Sequence, residues 1–237
     1  MPTVKYTELL PSTFKQRLKE HPIAYLPLGT LEWHGEHLPL GADSIQSEAL
    51  MIEAAKRFGG IVMPPLFLGP DRRQDNEDGT YLIGMDYAKS TSPHQQLPGS
   101  CYWVSYDFFK QLLAATLEQL KRAGFTTVFA DGHGPSRRTW NEMIPQFEKQ
   151  FGLRLIGIGD ELKERWGYMN DHAALNETSI TKYVRPDLVD LTVFQQGLDS
   201  PLVGVNGEHP FSATEEKGRE SFEKALLLLQ ELIKPKT

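Results

Sequence analysis

Ile23-Ala24-Tyr25-Leu26-Pro27-Leu28-Gly29 is the stretch that decides the fold class of this chain. Six apolar residues that end at a glycine are typical of a strand buried on both faces, as in a parallel sheet. Residues 43–58 follow with apolar side chains at helical spacing, and Gly59 and Gly60 end that pattern. A buried strand followed by a helix predicts the βα unit of an α/β fold.

The same alternation of apolar periods continues along the chain. The predicted strands are residues 23–28, 61–64, 126–130, 153–158 and 188–192. The predicted helices, or approaches to helices, are residues 43–58, 105–124, 138–151, 172–183 and 213–233, with an interruption near Pro145. Residues 69–100 have no sustained period and are predicted to line a functional site or to be mobile. This order predicts one three-layer α/β/α domain over residues 1–237, with a mainly parallel central sheet.

Charge and hydropathy exclude several classes of partner. The formal net charge is −6 and lysine and arginine are not clustered, so we expect no nucleic-acid partner. The longest apolar stretches are far too short to span a bilayer, and residues 1–6 lack the apolar core of a signal peptide. We therefore expect a cytoplasmic protein that acts on a small-molecule substrate and has no membrane partner.

A dense polar motif follows the first strand directly. Five residues that can bind metals occupy twelve positions: Glu32, His34, Glu36, His37 and Asp43. Carboxylate and imidazole groups together suit zinc, manganese and similar divalent ions. Glu32 and His34 are two residues apart, which places both side chains on one face of an extended segment. The alternative is a polar loop with surface histidines, but the position of the cluster at a strand end favours a metal site.

Two further motifs lie at later element boundaries. His133 stands between two glycines at the end of the strand 126–130, and ligands of α/β folds bind at the carboxyl ends of parallel strands. His172 and Glu177 are five residues apart, so at least one of them is expected to precede the helix. The alternative for that segment is a capping region, with Asn176 or Thr178 as the cap.

Together the three motifs resemble those of the creatininase family of amidohydrolases. Residues 26–43 are similar to its Pro-Gly-Glu-x-His-Gly-x-His-Leu-Pro-Asp string, residues 131–134 to Asn-Gly-His-Gly, and residues 172–179 to His-Ala-Gly-x-x-Glu-Thr-Ser. The matches follow the family order over nearly the whole chain. The resemblance implies a creatininase-like α/β/α domain that assembles as a homo-oligomer, with hexamers among the family arrangements.

The resemblance also implies a dinuclear metal site. Asp43 would bridge two divalent cations, zinc or manganese or both, although the same ligands also accept iron. Glu32 and His133 would complete one site, and His34 would contribute to the other.

One ligand position departs from creatininase. The carboxylate that creatininase carries two residues after the second-motif histidine is replaced by Pro135. The resemblance therefore implies Glu177 as the substitute ligand. His172 would lie beside the ions as an acid–base partner, and either His172 or Glu177 would protonate the leaving atom.

A metal-bridging hydroxide that attacks a carbonyl is the mechanism these residues suggest. The favoured reaction is hydrolysis of a carbon–nitrogen bond in a small cyclic amide or formamide. An alternative is carbon–carbon cleavage that opens a polyhydroxylated cyclic ketone of the keto-inositol type. The polar segment 71–78 favours this alternative, with Arg72, Arg73 and Tyr168 as candidate substrate contacts. The trimming of a short peptide and a non-catalytic metal-binding subunit remain further alternatives.

Overall fold

The fold was analysed in a computed structural model, which describes residues 3–234. The α-helices are α1 Pro11–Glu20, α2 Ala42–Phe58, α3 Tyr106–Arg122, α4 Gly134–Phe151, α5 Lys163–Trp166, α6 Leu175–Val184 and α7 Glu215–Ile233. The strands are β1 Ile23–Leu28, β2 Ile61–Val62, β3 Arg73–Asp75, β4 Tyr81–Ile83, β5 Thr127–Gly132 and β6 Arg154–Ile156. None of these helices is both long enough and apolar enough to cross a membrane.

Four parallel strands form the central sheet, in the order β2-β1-β5-β6. Tyr25 and Phe129 point to one face, where they pack in a core with residues of α2, α6 and α7. Ala24, Leu26 and Val128 point to the other face, where α3 and α4 cover them. The sheet therefore lies between two helical layers, and the predicted α/β/α architecture with a mainly parallel sheet is confirmed.

Several element boundaries differ from the sequence prediction. The helix predicted at 138–151 begins at Gly134 and continues through Pro145. Pro135 lies in its first turn, where a missing N–H costs nothing. Pro145 removes one internal hydrogen bond, but Trp140 and Phe147 are buried on either side of it and hold both halves of the helix in the core.

The remaining differences concern loops and one helix. The strand predicted at 188–192 is wrong, because this segment forms two 3-10 turns, Pro186–Leu188 and Leu191–Val193. Asp190 bends the chain there, since its carboxylate accepts a hydrogen bond from the Thr192 N–H at 2.9 Å. The helix α1 was not predicted, and residues 69–100 contain the antiparallel hairpin of β3 and β4.

The carboxyl ends of β1 and β5 lie side by side, with Leu28 paired with Gly132. Gly132 has a φ of 147°, and a Cβ at this position would lie 1.8 Å from the Leu28 carbonyl oxygen. Only glycine permits this approach. The His133 N–H then donates to the same Leu28 oxygen at 2.9 Å. The two polar motifs that follow these strands therefore start at the same edge of the sheet.

Candidate metal centre

Five side chains from four separate segments meet above this edge. Glu32 and His34 come from the loop after β1, Asp43 from the first turn of α2, His133 from the residue before α4 and Glu177 from the first turn of α6. All five side chains are buried. Three groups each bring their potential ligand atoms within 4.8 Å of one another: His34, Asp43 and Glu177; Glu32, Asp71 and His133; and Glu32, His34 and His172.

The first group has free acceptor atoms that face each other. His34 Nε2 lies 3.7 Å from Asp43 Oδ2 and 3.7 Å from Glu177 Oε2. His34 Nδ1 lies 3.1 Å from the Glu32 carbonyl oxygen, to which it donates, so the lone pair is on Nε2. Neither His34 Nε2 nor Asp43 Oδ2 has a hydrogen-bond partner within residues 3–234, although both are buried. A buried polar atom without a partner costs free energy, and a divalent cation bound between these two atoms would offset that cost.

The second group is organised around His133. Its Nε2 lies 3.5 Å from Glu32 Oε1, and its Nδ1 lies 3.0 Å from the hydroxyl oxygen of Ser136, one turn into α4. Ser136 is fully buried and therefore holds the imidazole plane in one orientation. Because the hydrogen bond with Ser136 occupies Nδ1, Nε2 is the nitrogen directed at Glu32. This is the usual arrangement of a metal-ligating histidine with an outer hydrogen-bond partner.

Asp71 is the member of this group that the sequence analysis did not identify as a metal ligand. The sequence predicts a substrate or solvent role for its polar segment, because nothing in the local pattern of Asp71 distinguishes it. Its side chain is only 8% exposed. Burial raises the pKa of its carboxyl, while the adjacent Arg72 N–H and guanidinium lower it. Its proximity to Glu32 and His133 depends on tertiary contacts.

His172 lies beside both groups, immediately before α6. Its Nε2 donates to the Trp33 carbonyl oxygen at 2.9 Å, and its Nδ1 lies 3.9 Å from Glu32 Oε1. Its ring centroid is 4.4 Å from that of His34. The backbone N–H of His172 donates to the Asn206 carbonyl oxygen, and the Asn206 N–H donates to the His172 carbonyl oxygen. These two bonds fix His172 against the loop that contains Asn206.

Glu177 is positioned by the start of α6. Asp171, rather than the predicted Asn176 or Thr178, caps this helix, because its carboxylate accepts the N–H groups of Asn176 and Glu177 at 2.7 and 3.0 Å. Glu177 Oε2 accepts the N–H of Ala173 at 2.8 Å. As predicted, His172 precedes the helix while Glu177 lies on it, which lets two residues five apart face the same centre.

Burial controls the protonation of the centre. It lowers the pKa of His34 and His133 to about 4 and that of His172 to about 3. Burial, followed by the repulsion of Asp43, raises the pKa of the Glu32 and Glu177 carboxyls well above their usual value. The histidines are therefore neutral near pH 7, as metal ligands must be. A neutral His172 can accept a proton before it delivers one, and its role in proton transfer stays a prediction.

The candidate substrate contacts have different outcomes. Tyr168 borders the cavity beside His172, but its side chain has no exposed surface and its hydroxyl donates to the Gln46 carbonyl oxygen at 2.9 Å. Its role as a substrate contact stays a prediction. Arg73 makes its contacts within the hairpin, where it pairs with Asp75 and its guanidinium lies 4.0 Å from the centroid of the Tyr81 ring. Arg72 lies nearer the centre, with Nε 3.8 Å from Asp71 Oδ1.

A cavity of about 660 Å³ opens beside His172. Its wall contains amide and cationic side chains that sequence analysis did not identify: Arg138, Asn141, Lys163, Asn170 and Asn206. They come from α4, α5 and two loops, so no local motif connects them. A wall that can both donate and accept hydrogen bonds suits a small polar molecule.

Known sequences similar to this chain agree with the family resemblance of its three motifs. The sequence profile of the creatininase family, described as creatinine amidohydrolase, matches residues 7–233. Creatinine amidohydrolase of Pseudomonas putida is 26% identical over 193 residues, which cover 71% of this chain and 66% of that relative. A mycofactocin precursor peptide peptidase of Mycobacterium ulcerans is 24% identical over 246 residues, covering 91% of this chain and 86% of the relative.

Solved structures show the same fold. A crystal structure of creatinine amidohydrolase superposes with a TM-score of 0.72 at 18% identity and covers 100% of both chains. The structure named "Creatininase Mn" has a TM-score of 0.70 at 19% identity, covering 98% of this chain and 100% of that one. A creatininase variant described as "Zn-Zn type" has a TM-score of 0.71 at 19% identity, covering 99% and 100%. Those names associate divalent metals with this fold.

Proposed function

The chain belongs to the creatininase family, whose members are metal-dependent amidohydrolases, and we propose that it uses two divalent cations to hydrolyse a carbon–nitrogen bond in a small cyclic amide or formamide. The observation that carries this proposal is the pair of buried, unpartnered atoms His34 Nε2 and Asp43 Oδ2, which face each other and Glu177. If these residues only stabilised the fold, both buried atoms would lack a hydrogen-bond partner, which is unfavourable. A cation bound between the two atoms would supply the missing interaction.

Five residues would hold the cations. Asp43 belongs to the group with His34 and Glu177, and the family resemblance makes it the proposed bridge to the other group. Glu32 and His133 would complete one site, and His34 and Glu177 the other. The carboxylate and imidazole donors suit zinc or manganese, and they also accept iron. When bound, a pair of such cations lowers the pKa of a water between them to near neutrality and polarises a carbonyl oxygen of the substrate.

His172 is the proposed catalytic residue for proton transfer. Its Nε2–H is engaged by the Trp33 carbonyl, so the lone pair on Nδ1 is the one directed toward the centre. We propose that Nδ1 accepts a proton from the attacking water and then delivers it to the leaving nitrogen. Glu177 is less suited to this role, because one of its oxygens already accepts the Ala173 N–H and faces His34.

Carbon–carbon cleavage in a polyhydroxylated cyclic ketone is the second candidate reaction. The observation in its favour is the cavity beside His172, whose amide groups and cations can bind several hydroxyl groups. Attack on a ring carbonyl would use the same residues as amide hydrolysis. The only change is the leaving atom, which becomes a carbon. The name of the mycobacterial relative adds a short peptide to the substrates worth testing.

Product analysis separates these reactions. We expect the cation-loaded protein to release an amine from at least one member of a panel of lactams, cyclic ureas and formamides. His172→Gln should lower kcat about 100-fold with unchanged metal content, whereas the exposed His94→Gln should have no effect. A new carboxylic acid from cyclic polyhydroxy ketones, without amine release, would favour the second reaction. No turnover on any panel with cations bound would favour a non-catalytic metal-binding subunit.

A further inference from the structure

Asp71 occupies a position that neither the family motifs nor the local sequence pattern assigns. One of its carboxylate oxygens lies within 4.8 Å of a Glu32 oxygen and of a His133 nitrogen. Glu32 and His133 are the proposed ligands of one cation. The Asp71 side chain is 92% buried at this point, whereas Asp75 and the other carboxylates of the same polar segment are exposed.

The backbone delivers Asp71 to this position. After β2, Leu66 continues alongside the end of β1, because its N–H donates to Pro27 at 3.0 Å and its carbonyl accepts the Gly29 N–H at 2.8 Å. Gly69 then passes so close to the strand end that a Cβ there would lie 2.9 Å from the Gly29 carbonyl oxygen. These backbone contacts fix the chain two residues before Asp71.

The two oxygens of the Asp71 carboxylate have different partners. Oδ1 accepts the Arg72 N–H at 2.6 Å and lies 3.8 Å from the Arg72 guanidinium. Oδ2 accepts no hydrogen bond from residues 3–234, and it lies where a Cβ on Gly84 would come within 2.3 Å of it. The Asp71 side chain as a whole is only 8% exposed, and a largely buried carboxylate is stabilised by a cation held beside it.

We propose that Asp71 is a further metal ligand, which completes the cation site formed by Glu32, His133 and the bridging Asp43. This inference rests on the proposed dinuclear centre and adds one residue to it. With Asp71, the centre contains four carboxylates, those of Glu32, Asp43, Asp71 and Glu177. Their combined formal charge of about −4 balances the charge of two divalent cations, which a buried site requires.

The direct test is a calorimetric titration with Mn²⁺ of the full chain, after a chelator has removed any bound metal. The parent should bind about two ions. In Asp71→Asn, which keeps the shape and the acceptor for Arg72, one ion should bind at least tenfold more weakly, while the other is unchanged. Asp75→Asn, an exposed carboxylate of the same segment, should match the parent. Circular dichroism checks that each variant is folded.

A second variant moves the same oxygen without removing it. Gly84→Ala would push a methyl group against Asp71 Oδ2, so we expect the same selective weakening of one ion. Gly79→Ala is the matched control, because it also has a positive φ in this hairpin but no atom within 4 Å of the new Cβ.

The outcomes separate this inference from the proposed function. Parent-like binding of both ions by Asp71→Asn, with loss of one ion in Glu32→Gln, would overturn the role of Asp71 and leave the dinuclear centre intact. Failure of the parent itself to bind Mn²⁺ would overturn both. Selective weakening in Asp71→Asn and Gly84→Ala, with parent-like controls, would support the ligand role.

Discussion

At the scale of single residues, the second nitrogen of each histidine determines what the first can do. His34 directs Nε2 into the centre because its Nδ1–H is engaged by the Glu32 carbonyl. His133 directs Nε2 at Glu32 because Nδ1 contacts the Ser136 hydroxyl. An imidazole held in this way loses little conformational freedom when a cation binds, which strengthens binding.

Removal of the outer partner should therefore weaken the metal site selectively. In Ser136→Ala, we expect the affinity of the His133 cation to fall about tenfold, with a small change in stability. Competition with a metallochromic chelator would measure this affinity. Thr139→Val is the matched control, because it removes a buried hydroxyl of the same helix that bonds only the Pro135 carbonyl. Equal affinity in Ser136→Ala and the parent would show that Ser136 does not position His133.

At the scale of elements, the centre depends on how closely β1 and β5 approach at their carboxyl ends. Gly132 allows this contact, and the His133 N–H is anchored on the Leu28 carbonyl oxygen. The buried pair of Asp131 and Arg137 then joins the end of β5 to α4, and Arg137 also donates to the Met169 carbonyl oxygen at 3.2 Å. These contacts hold together the end of β5, the start of α4 and the loop that contains Met169.

Two glycines that are two residues apart test this arrangement. In Gly132→Ala, the new Cβ would meet the Leu28 carbonyl at a positive φ, so we expect a loss of about 3 kcal/mol or more in unfolding free energy. Gly134→Ala has open space around its Cβ and lies in the first turn of α4, so it should change stability little. Urea unfolding measures both. Similar midpoints for the two variants would contradict the close approach of these strands.

Elements with a clear apolar period were predictable, and so were the residues at their ends. The strand 23–28 and the polar motifs after β1 and β5 follow from local sequence together with the rule that parallel strands present ligands at their carboxyl ends. The continuous α4 was not predictable, because packing around Pro145 outweighs the local penalty of proline. Asp71 was missed for a similar reason, since its position depends on the contact of Gly69 with Gly29.

The burial of Tyr168 was also beyond the sequence. Its ring lies in the core between sheet and helices and contacts Trp166 and Phe222 edge-on. An aromatic residue close to a catalytic motif has the same local pattern whether it faces the substrate or the core. Only the packing of α5 against α7 distinguishes the two.

At the scale of the whole molecule, the fold positions four segments of the chain over one edge of one sheet. The same fold occurs in creatininase at 18% identity. This is possible because the two apolar cores tolerate substitution while volume and pattern are kept. The single domain over residues 1–237 and the cytoplasmic location stay predictions. The homo-oligomer, with a hexamer as one possible form, also stays a prediction.

Metal analysis of the purified protein beside Asp43→Ala tests the dinuclear centre most directly. Asp43 contacts both cation positions in the proposed arrangement, so no other ligand can replace it. We expect about two divalent ions per chain in the parent, and near-complete loss of both bound metal and hydrolytic activity in Asp43→Ala. A variant that keeps an ion and full activity would contradict the bridging role, and with it the centre proposed for this protein.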